Sequence, residues 1–301
     1  MTSNDRNLIQ VTLSRASRLW RKSADSLVGS ISSGAPQQLN TAIAPYLPGA
    51  VLGVAPGITN GRSVYDGYQR GWGLQYGDLR KHILRDPLYV WALARSGKRT
   101  IMTEVNRMNI FLLMRFYLDR VPQGHIVEFG SYRGGNAIFM ASVAQELFPK
   151  IEIYALDTYE GMPETDKTLD AHNQGDFTGV NFEELQDYAE KLKLRNIKFV
   201  KGRFEDTWDN IKAKAGKFAL AHIDCDISEA VKYSYESVKT QLVDGGYIVF
   251  DDATVSSCIG ATTVVEDLVI RRDHLNSEQI WPHFVFRRFD SSSAAVTHSE
   301  G

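Results

Sequence analysis

Residues 221–252 read AHIDCDISEAVKYSYESVKTQLVDGGYIVFDD, and the order of apolar and acidic residues here indicates the fold class. One apolar run ends in the pentad HIDCD at 222–226, and a second ends at the pair Asp251-Asp252. The 27 positions from Asp224 to Asp251 fit a strand, a helix and a neighbouring parallel strand. Because parallel strands end at one edge of their sheet, we expect both acidic clusters to lie together there.

Three carboxylates at this edge, those of Asp224, Asp251 and Asp252, predict a site for a hard cation. Clustered carboxylates repel one another unless a cation is shared, and a site made of oxygen ligands suits Mg²⁺, Mn²⁺ or Ca²⁺ better than zinc. Each aspartate alone could be an ordinary polar strand end that faces water. Two clusters at the spacing of a strand-helix-strand unit favour a metal-assisted enzyme instead.

The composition is that of an ordinary globular protein. The chain has 301 residues, 43% of them hydrophobic, and a net charge of −2, so nothing global attracts nucleic acid or an anionic membrane. Small-molecule partners are therefore expected. Cys225 and Cys258 stand outside any C-x-x-C pair and are expected to be reduced thiols. No apolar run approaches the roughly 20 residues of a membrane span, and the N-terminus lacks a secretory pattern, so the sequence predicts a cytoplasmic protein.

Strand and helix patterns alternate along the middle of the chain, which predicts a doubly wound α/β sheet. Parallel strands are predicted at 125–130, 151–157, 197–200, 217–224 and 247–251, with a final antiparallel pair at 279–281 and 283–289. Helices are predicted at 136–148, at 182–192 with Asn181 as cap, from about 205 and 228, and within 87–118. The result is a mostly parallel, seven-stranded, Rossmann-like sheet.

The first predicted strand leads into the turn EFGSYRGG at 128–135, where a helix begins. Its glycines do not fit G-x-G-x-x-G, because Tyr132 occupies the position of the second glycine, so NAD is disfavoured. A cofactor with a cationic amino group and a sulfonium but no phosphate fits the nearby carboxylate of Glu128, and S-adenosylmethionine has that description. Asp157, at the end of the second strand, is placed to accept hydrogen bonds from ribose hydroxyls. A purely structural turn is the alternative.

Five motifs together carry a family resemblance. They are VEFGSYRGGNA from 127, ALDTYEGMP from 155, VKGRFEDTW from 200, AHIDCD from 221 and DGGYIVFDD from 244. Between about Thr100 and about Arg272 the chain resembles the macrocin O-methyltransferase family, metal-dependent S-adenosylmethionine enzymes that methylate sugar hydroxyls. The resemblance implies an O-methyltransferase acting on a sugar or glycosylated small molecule, and it also implies a homo-oligomer.

The resemblance further implies roles for individual residues. Glu128, Gly130 and Ser131 would line the methionine and adenosine portion of the cofactor, and Asp157, Thr158 and Tyr159 would line its ribose side. Gly202, Arg203 and Phe204 would lie beside the adenine. Asp224, Asp251 and Asp252 would bind the divalent metal, Mg²⁺ or another cation such as Mn²⁺. The chain departs from the family at Asp226-Ile227-Ser228, where the usual sequence is Asp-Leu-Tyr. This departure concerns substrate contacts rather than metal ligands.

An alcohol is a poor nucleophile, so methyl transfer to it calls for positioning and for a group that takes the proton. We assign the base to Asp224, with His222 as the alternative, although a histidine inside an apolar strand is more often a satisfied core residue. The polar segment 161–180, which contains His172, is long enough for a lid, but a solvated acidic loop is the plainer interpretation.

The predicted domains are an N-terminal helical and loop extension at 1–95, the methyltransferase domain at 96–290 and a disordered tail at 291–301. Within the extension, residues 5–30 are loosely amphipathic and basic, and residues 34–77 are rich in glycine, proline and aromatic residues.

Two alternative functions stay open. As the methyl acceptor, a catechol or another vicinal diol would serve the same chemistry as a sugar. A scaffold that keeps the cofactor fold without turnover is the alternative of a different class, and the clustered carboxylates argue against it.

Overall fold

The structure is a computed structural model that describes residues 79–289 and the backbone of two short strands, β1 (Ile58–Thr59) and β2 (Arg62–Ser63), which pair antiparallel. The predictions for 5–30 and 291–301, and those for 34–77 apart from these two strands, lie outside the described residues. None of the described helices has both the length and the apolar character needed to cross a membrane.

Seven strands form the main sheet, as the sequence predicts. They are β3 (His125–Phe129), β4 (Ile153–Asp157), β5 (Ile197–Lys201), β6 (Phe218–Ile223), β7 (Leu242–Phe250), β8 (Ser277–Gln279) and β9 (Phe284–Arg288). Their order is β5-β4-β3-β6-β7-β9-β8. The first five are parallel, β9 runs antiparallel to β7, and β8 runs antiparallel to β9. The mostly parallel Rossmann-like prediction is confirmed.

Eight α-helices flank and precede the sheet in the described part of the chain. They are α1 (Leu79–Ile83), α2 (Pro87–Ser96), α3 (Glu104–Phe116), α4 (Gly135–Leu147), α5 (Phe182–Lys191), α6 (Phe204–Ala215), α7 (Ser228–Val238) and α8 (Ile259–Val264). Short 3₁₀ turns cover Leu118–Arg120 and Asp252–Thr254, and a π-helix covers Val265–Arg272.

Side-chain caps set where several helices begin. The Asp86 side chain accepts from Leu88 N at 2.8 Å and starts α2, with Pro87 as its first residue. Thr103 caps α3, and the side chain of Asn181 accepts from Glu184 N at 3.0 Å to cap α5. The Asn181 cap is where the sequence predicts it.

Helices α2, α3 and α4 share one face of the core. The ring of Tyr89 meets Phe111 and Phe139 edge-on, with centroids 5.3 and 5.6 Å apart. Helix α2 therefore packs against α3 and α4. Because α2 runs from Pro87 to Ser96, it continues through residue 95, where the sequence predicts the end of the N-terminal extension. That division into domains stays a prediction.

The register of the central strands brings the acidic clusters together. Ile223 of β6 pairs with Phe250 of β7, so the residues that follow each strand, Asp224 and Asp251, leave the sheet at the same level. Strand β6 is buried along its whole length because helices cover both faces of the sheet, which explains why five of its six residues are apolar. We call the edge where the parallel strands end the carboxyl edge.

Candidate active site

A cavity of about 400 Å³ opens at the carboxyl edge of the sheet. Its walls come from the turn after β3, the end of β4, the start of α6, the ends of β6 and β7, and the segment between β4 and α5. Parallel α/β sheets bind ligands at this place, because here the chain turns from strand to helix and exposes backbone N–H groups and polar side chains. The turn after β3, where the sequence predicts a cofactor, and the three aspartates, for which the sequence predicts a metal, therefore line the same cavity.

The turn after β3 is held by Glu128, which is buried at the wall of the cavity. Its Oε2 accepts from Ser131 Oγ at 2.8 Å, and its Oε1 accepts from Asn136 Nδ2 at 2.7 Å. Gly130 has a φ of +87°, and a Cβ there would lie 1.7 Å from the carbonyl oxygen of Asp224. Only glycine fits this position, because β3 and β6 end in direct backbone contact.

Asp157 is the last residue of β4, and both of its carboxylate oxygens accept hydrogen bonds from backbone N–H groups. Its Oδ2 accepts from Tyr132 N and its Oδ1 from Tyr159 N, each at 2.7 Å. Burial raises the pKa of this carboxyl group, although the hydrogen bonds oppose the rise. Asp157 and Thr158 both line the cavity.

Two of the predicted cofactor residues do not line the cavity. The Tyr159 ring packs into the core, 4.8 Å from the Phe182 ring between centroids, and its hydroxyl donates to Ala155 O. Gly202 donates its N–H to Asp157 O at 3.0 Å and supports the end of β4. Beside them, Arg203 and Phe204 do border the cavity at the start of α6.

The three aspartates that the sequence predicts at the carboxyl edge lie close together. Asp224, Asp251 and Asp252 each present a carboxylate oxygen, and these oxygens all lie within 4.8 Å of one another. All three residues line the cavity. Burial and the neighbouring carboxylates raise the pKa values of Asp224 and Asp252 well above the ordinary range, because two more negative charges here are costly. The donor set fits a hard divalent cation, which would relieve this repulsion.

Asp251 differs from its two neighbours because donors surround it. Its Oδ1 accepts from His283 Nε2 at 2.7 Å and from Asn106 Nδ2 at 2.8 Å. Burial alone would raise its pKa, but the hydrogen bonds and charges of His222 and His283 hold that pKa well below its usual value. Asp251 is therefore the member of the triad whose negative charge the surrounding donors stabilise.

His222 is fully buried behind the cavity and does not line it. Its Nδ1 lies 3.2 Å from Glu128 Oε1, and its Nε2 lies 3.7 Å from Asp251 Oδ1. Burial lowers the pKa of this imidazole, but the two carboxylates outweigh burial and raise it to about 9. His222 therefore lies between Glu128 and Asp251.

Sequence reasoning missed the donors that orient Asp251. Asn106 lies on α3, and His283 immediately precedes β9. Phe284 pairs with Phe250, which places His283 beside Asp251, and the other ring nitrogen of His283 lies 2.9 Å from Asn109 Nδ2. The only signal in the sequence was the position of His283 at the start of a predicted strand, next to Pro282.

The segment 158–181 lies over the cavity and contacts the body at defined points. Asp170 is buried and accepts from Ser228 N and Ser228 Oγ at 2.8 and 2.9 Å. Met162, His172 and Phe177 line the cavity. The segment is therefore folded against the site, which goes beyond the solvated acidic loop that the sequence favours.

Comparisons with known proteins agree with this architecture. Residues 99–273 match the model of the macrocin-O-methyltransferase (TylF) family. A relative from Streptomyces olivaceus, 8-demethyl-8-(2,3-dimethoxy-alpha-L-rhamnosyl)-tetracenomycin-C 4'-O-methyltransferase, is 29% identical over 150 residues, which are 46% of this chain and 56% of the relative. The match thus spans little more than half of that relative's length.

Solved methyltransferase structures share the fold. The O-methyltransferase NovP aligns with a TM-score of 0.53 and 21% identity over 62% of this chain and 80% of its own. CalS11, a calicheamicin methyltransferase, aligns with a TM-score of 0.55 and 19% identity over 68% of this chain and 94% of its own.

Proposed function

Because the chain belongs to the macrocin-O-methyltransferase family, we propose that it transfers a methyl group from S-adenosylmethionine to a hydroxyl of a sugar or of a glycosylated small molecule, with the help of a divalent cation. The observation that carries the proposal is the single cavity, which joins the turn after β3 and Asp157 to the triad of Asp224, Asp251 and Asp252. Displacement at a sulfonium needs the acceptor oxygen in line with the methyl carbon at roughly 3 Å, so a shared cavity is the first requirement.

On the cofactor side, we assign binding to residues that border the cavity. Glu128 provides negative charge for the cationic amino group and sulfonium, and Asp157 accepts from the ribose hydroxyls. Arg203 and Phe204 are proposed to flank the adenine. Tyr159 and Gly202 act through the backbone that shapes the end of β4 rather than by touching the cofactor.

On the metal side, Asp224, Asp251 and Asp252 would hold a hard divalent cation such as Mg²⁺ or Mn²⁺. When bound, such an ion supplies positive charge that stabilises an alkoxide at neutral pH. Of the two residues considered as the base, Asp224 borders the cavity and His222 does not. We therefore propose that Asp224 accepts the proton of the acceptor hydroxyl and that His222 has a positioning role.

The test is a transfer assay with isotopically labelled S-adenosylmethionine, Mg²⁺ and a panel of nucleotide sugars, glycosides, free sugars and catechols. Methylation of a sugar hydroxyl is the expected result. Methylation of catechols alone would replace the proposed substrate class with the vicinal diols. Binding of S-adenosylhomocysteine without transfer to any hydroxyl would instead favour the scaffold.

The resemblance to the family supports assembly into a homo-oligomer, which we also propose, with residues 1–95 as a contact surface. Light scattering coupled to size-exclusion chromatography measures the mass directly. A mass of one chain, 33.8 kDa, would refute it.

A further inference from the structure

Three side chains from separate segments meet at one wall of the cavity, outside the carboxylate triad. His172 lies between β4 and α5, Asp226 between β6 and α7, and Cys258 immediately before α8. Each offers one ligand atom, and the three residues line the cavity. This set contains nitrogen, oxygen and sulfur, unlike the oxygen-only triad next to it.

The three ligand atoms form a nearly equilateral triangle. Cys258 Sγ lies 3.5 Å from Asp226 Oδ1 and 3.6 Å from His172 Nε2, and His172 Nε2 lies 3.6 Å from Asp226 Oδ1. Zinc bond lengths of about 2.3 Å to sulfur and about 2.0–2.2 Å to nitrogen and oxygen, at tetrahedral angles, require ligand separations of roughly 3.3–3.7 Å. All three observed separations fall within that interval.

The surroundings of the triangle also fit a metal site. The second ring nitrogen of His172, Nδ1, lies 3.5 Å from Asp176 Oδ2, and histidines that bind metals usually donate that N–H to a carboxylate. Asp176 is itself fixed, because its Oδ2 accepts from Asn173 N at 2.8 Å. Ser257 Oγ lies 3.7 Å from Cys258 Sγ. The partners that orient a bound ion's ligands are thus already in place.

We propose that His172, Asp226 and Cys258 form a second metal site in this cavity, selective for a borderline cation such as Zn²⁺ rather than Mg²⁺. Thiolate and imidazole ligands favour zinc over magnesium, and three protein ligands leave a fourth position for water or a bound molecule. Because His172 belongs to the segment 158–181 and its two partners belong to the body, the ion holds that segment over the cavity. The proposal concerns binding and does not depend on methyl transfer.

Cobalt is the direct probe, because thiolate coordination to Co²⁺ gives a charge-transfer band that oxygen ligands do not give. Chelator-treated protein is first saturated with Mg²⁺ to fill the carboxylate triad and is then titrated with Co²⁺. We expect a thiolate-to-cobalt band that Zn²⁺ abolishes by competition. Cys258→Ser and His172→Gln should lose the band, while Cys225→Ser and His274→Asn, matched changes outside the triangle, should keep it.

The carboxylate of Asp176, which lies next to His172 and is not a proposed ligand, provides a second test through Zn²⁺ affinity. Asp176→Asn should lower Zn²⁺ affinity about 10–100-fold while leaving the band, because it removes a partner of His172 and no ligand. Absence of the band in folded wild-type protein, or its persistence in Cys258→Ser, would overturn the proposal and leave the triangle as a set of weak hydrogen bonds.

Proteolysis tests the effect on the segment. Lys167 is exposed within it, so trypsin cleavage after Lys167 should slow with Zn²⁺ in the wild type and stay unchanged in Cys258→Ser. Equal cleavage of the wild type with and without Zn²⁺ would refute the holding role.

Discussion

His283 Nε2 lies 2.7 Å from Asp251 Oδ1, so a residue from the antiparallel end of the sheet orients a carboxylate at the end of a parallel strand. Asn109 in turn lies 2.9 Å from the other ring nitrogen of His283 and accepts from Gln279 Nε2 at 2.8 Å. The orientation of Asp251 therefore depends on α3, β8 and β9 as well as on the strand that it follows.

Removing the His283 side chain should weaken the metal site without touching a metal ligand. Partners that orient metal ligands typically contribute about 10–100-fold to affinity. We expect His283→Ala to lower Mn²⁺ affinity by that factor, measured by electron paramagnetic resonance of free Mn²⁺. His274→Asn, a change at an exposed histidine, is the control, and equal affinities for His283→Ala and the control would contradict the role assigned to His283.

Gly130 tests the contact between the ends of β3 and β6. Gly130→Ala combines a left-handed φ with a Cβ placed 1.7 Å from backbone, so we expect a loss of stability of about 3 kcal/mol or more, from strain and overpacking together. Gly175→Ala is the matched control, because Gly175 has a φ of +84° with nothing within 4 Å and should lose only about 1–2 kcal/mol. Chemical denaturation measures both losses, and equal values would refute the close contact.

The charge of Glu128 should matter more for S-adenosylmethionine than for S-adenosylhomocysteine, because only the former carries a sulfonium. We expect Glu128→Gln to weaken binding of both ligands and to weaken binding of S-adenosylmethionine by the larger factor. Isothermal titration calorimetry measures the affinities of the wild type and of Glu128→Gln for the two ligands. Unchanged affinity for both would remove Glu128 from the cofactor site.

His222 should make the stability of the metal-free protein depend on pH. Its pKa is raised from 6.5 to about 9 in the folded state, so its contribution is fully present below pH 6.5 and is lost as the pH rises through about 9. The shift corresponds to roughly 3 kcal/mol. Unfolding free energies of the wild type and His222→Gln should therefore converge as the pH rises across this range, and a difference that is constant with pH would contradict the charged imidazole.

Local patterns predicted the parallel core of the fold and the proximity of the three aspartates. Asp224 and Asp251 follow successive apolar strands, and parallel pairing in register is sufficient to bring them together. The side chain of Tyr159 was less predictable, because a motif fixes its backbone position while packing against Phe182 turns its ring into the core.

Contacts between distant segments were beyond sequence reasoning. His283 meets Asp251 only through an antiparallel register, and Asn106 is 145 positions away from that carboxylate. The triangle of His172, Asp226 and Cys258 joins three loops and has no spacing that a motif could reveal. Such contacts depend on how loops pack, which periodicity does not encode.

We propose that one cavity binds a methyl donor and a divalent cation side by side. The test of this arrangement is methyl transfer to a sugar hydroxyl by the wild type and Asp251→Asn, in chelator and after Mg²⁺ is restored, with S-adenosylhomocysteine affinity measured in parallel. We expect methyl transfer by the wild type to stop in chelator and to recover with Mg²⁺, whereas Asp251→Asn should stay inactive yet bind S-adenosylhomocysteine nearly as tightly. Full activity of the wild type in chelator would contradict it.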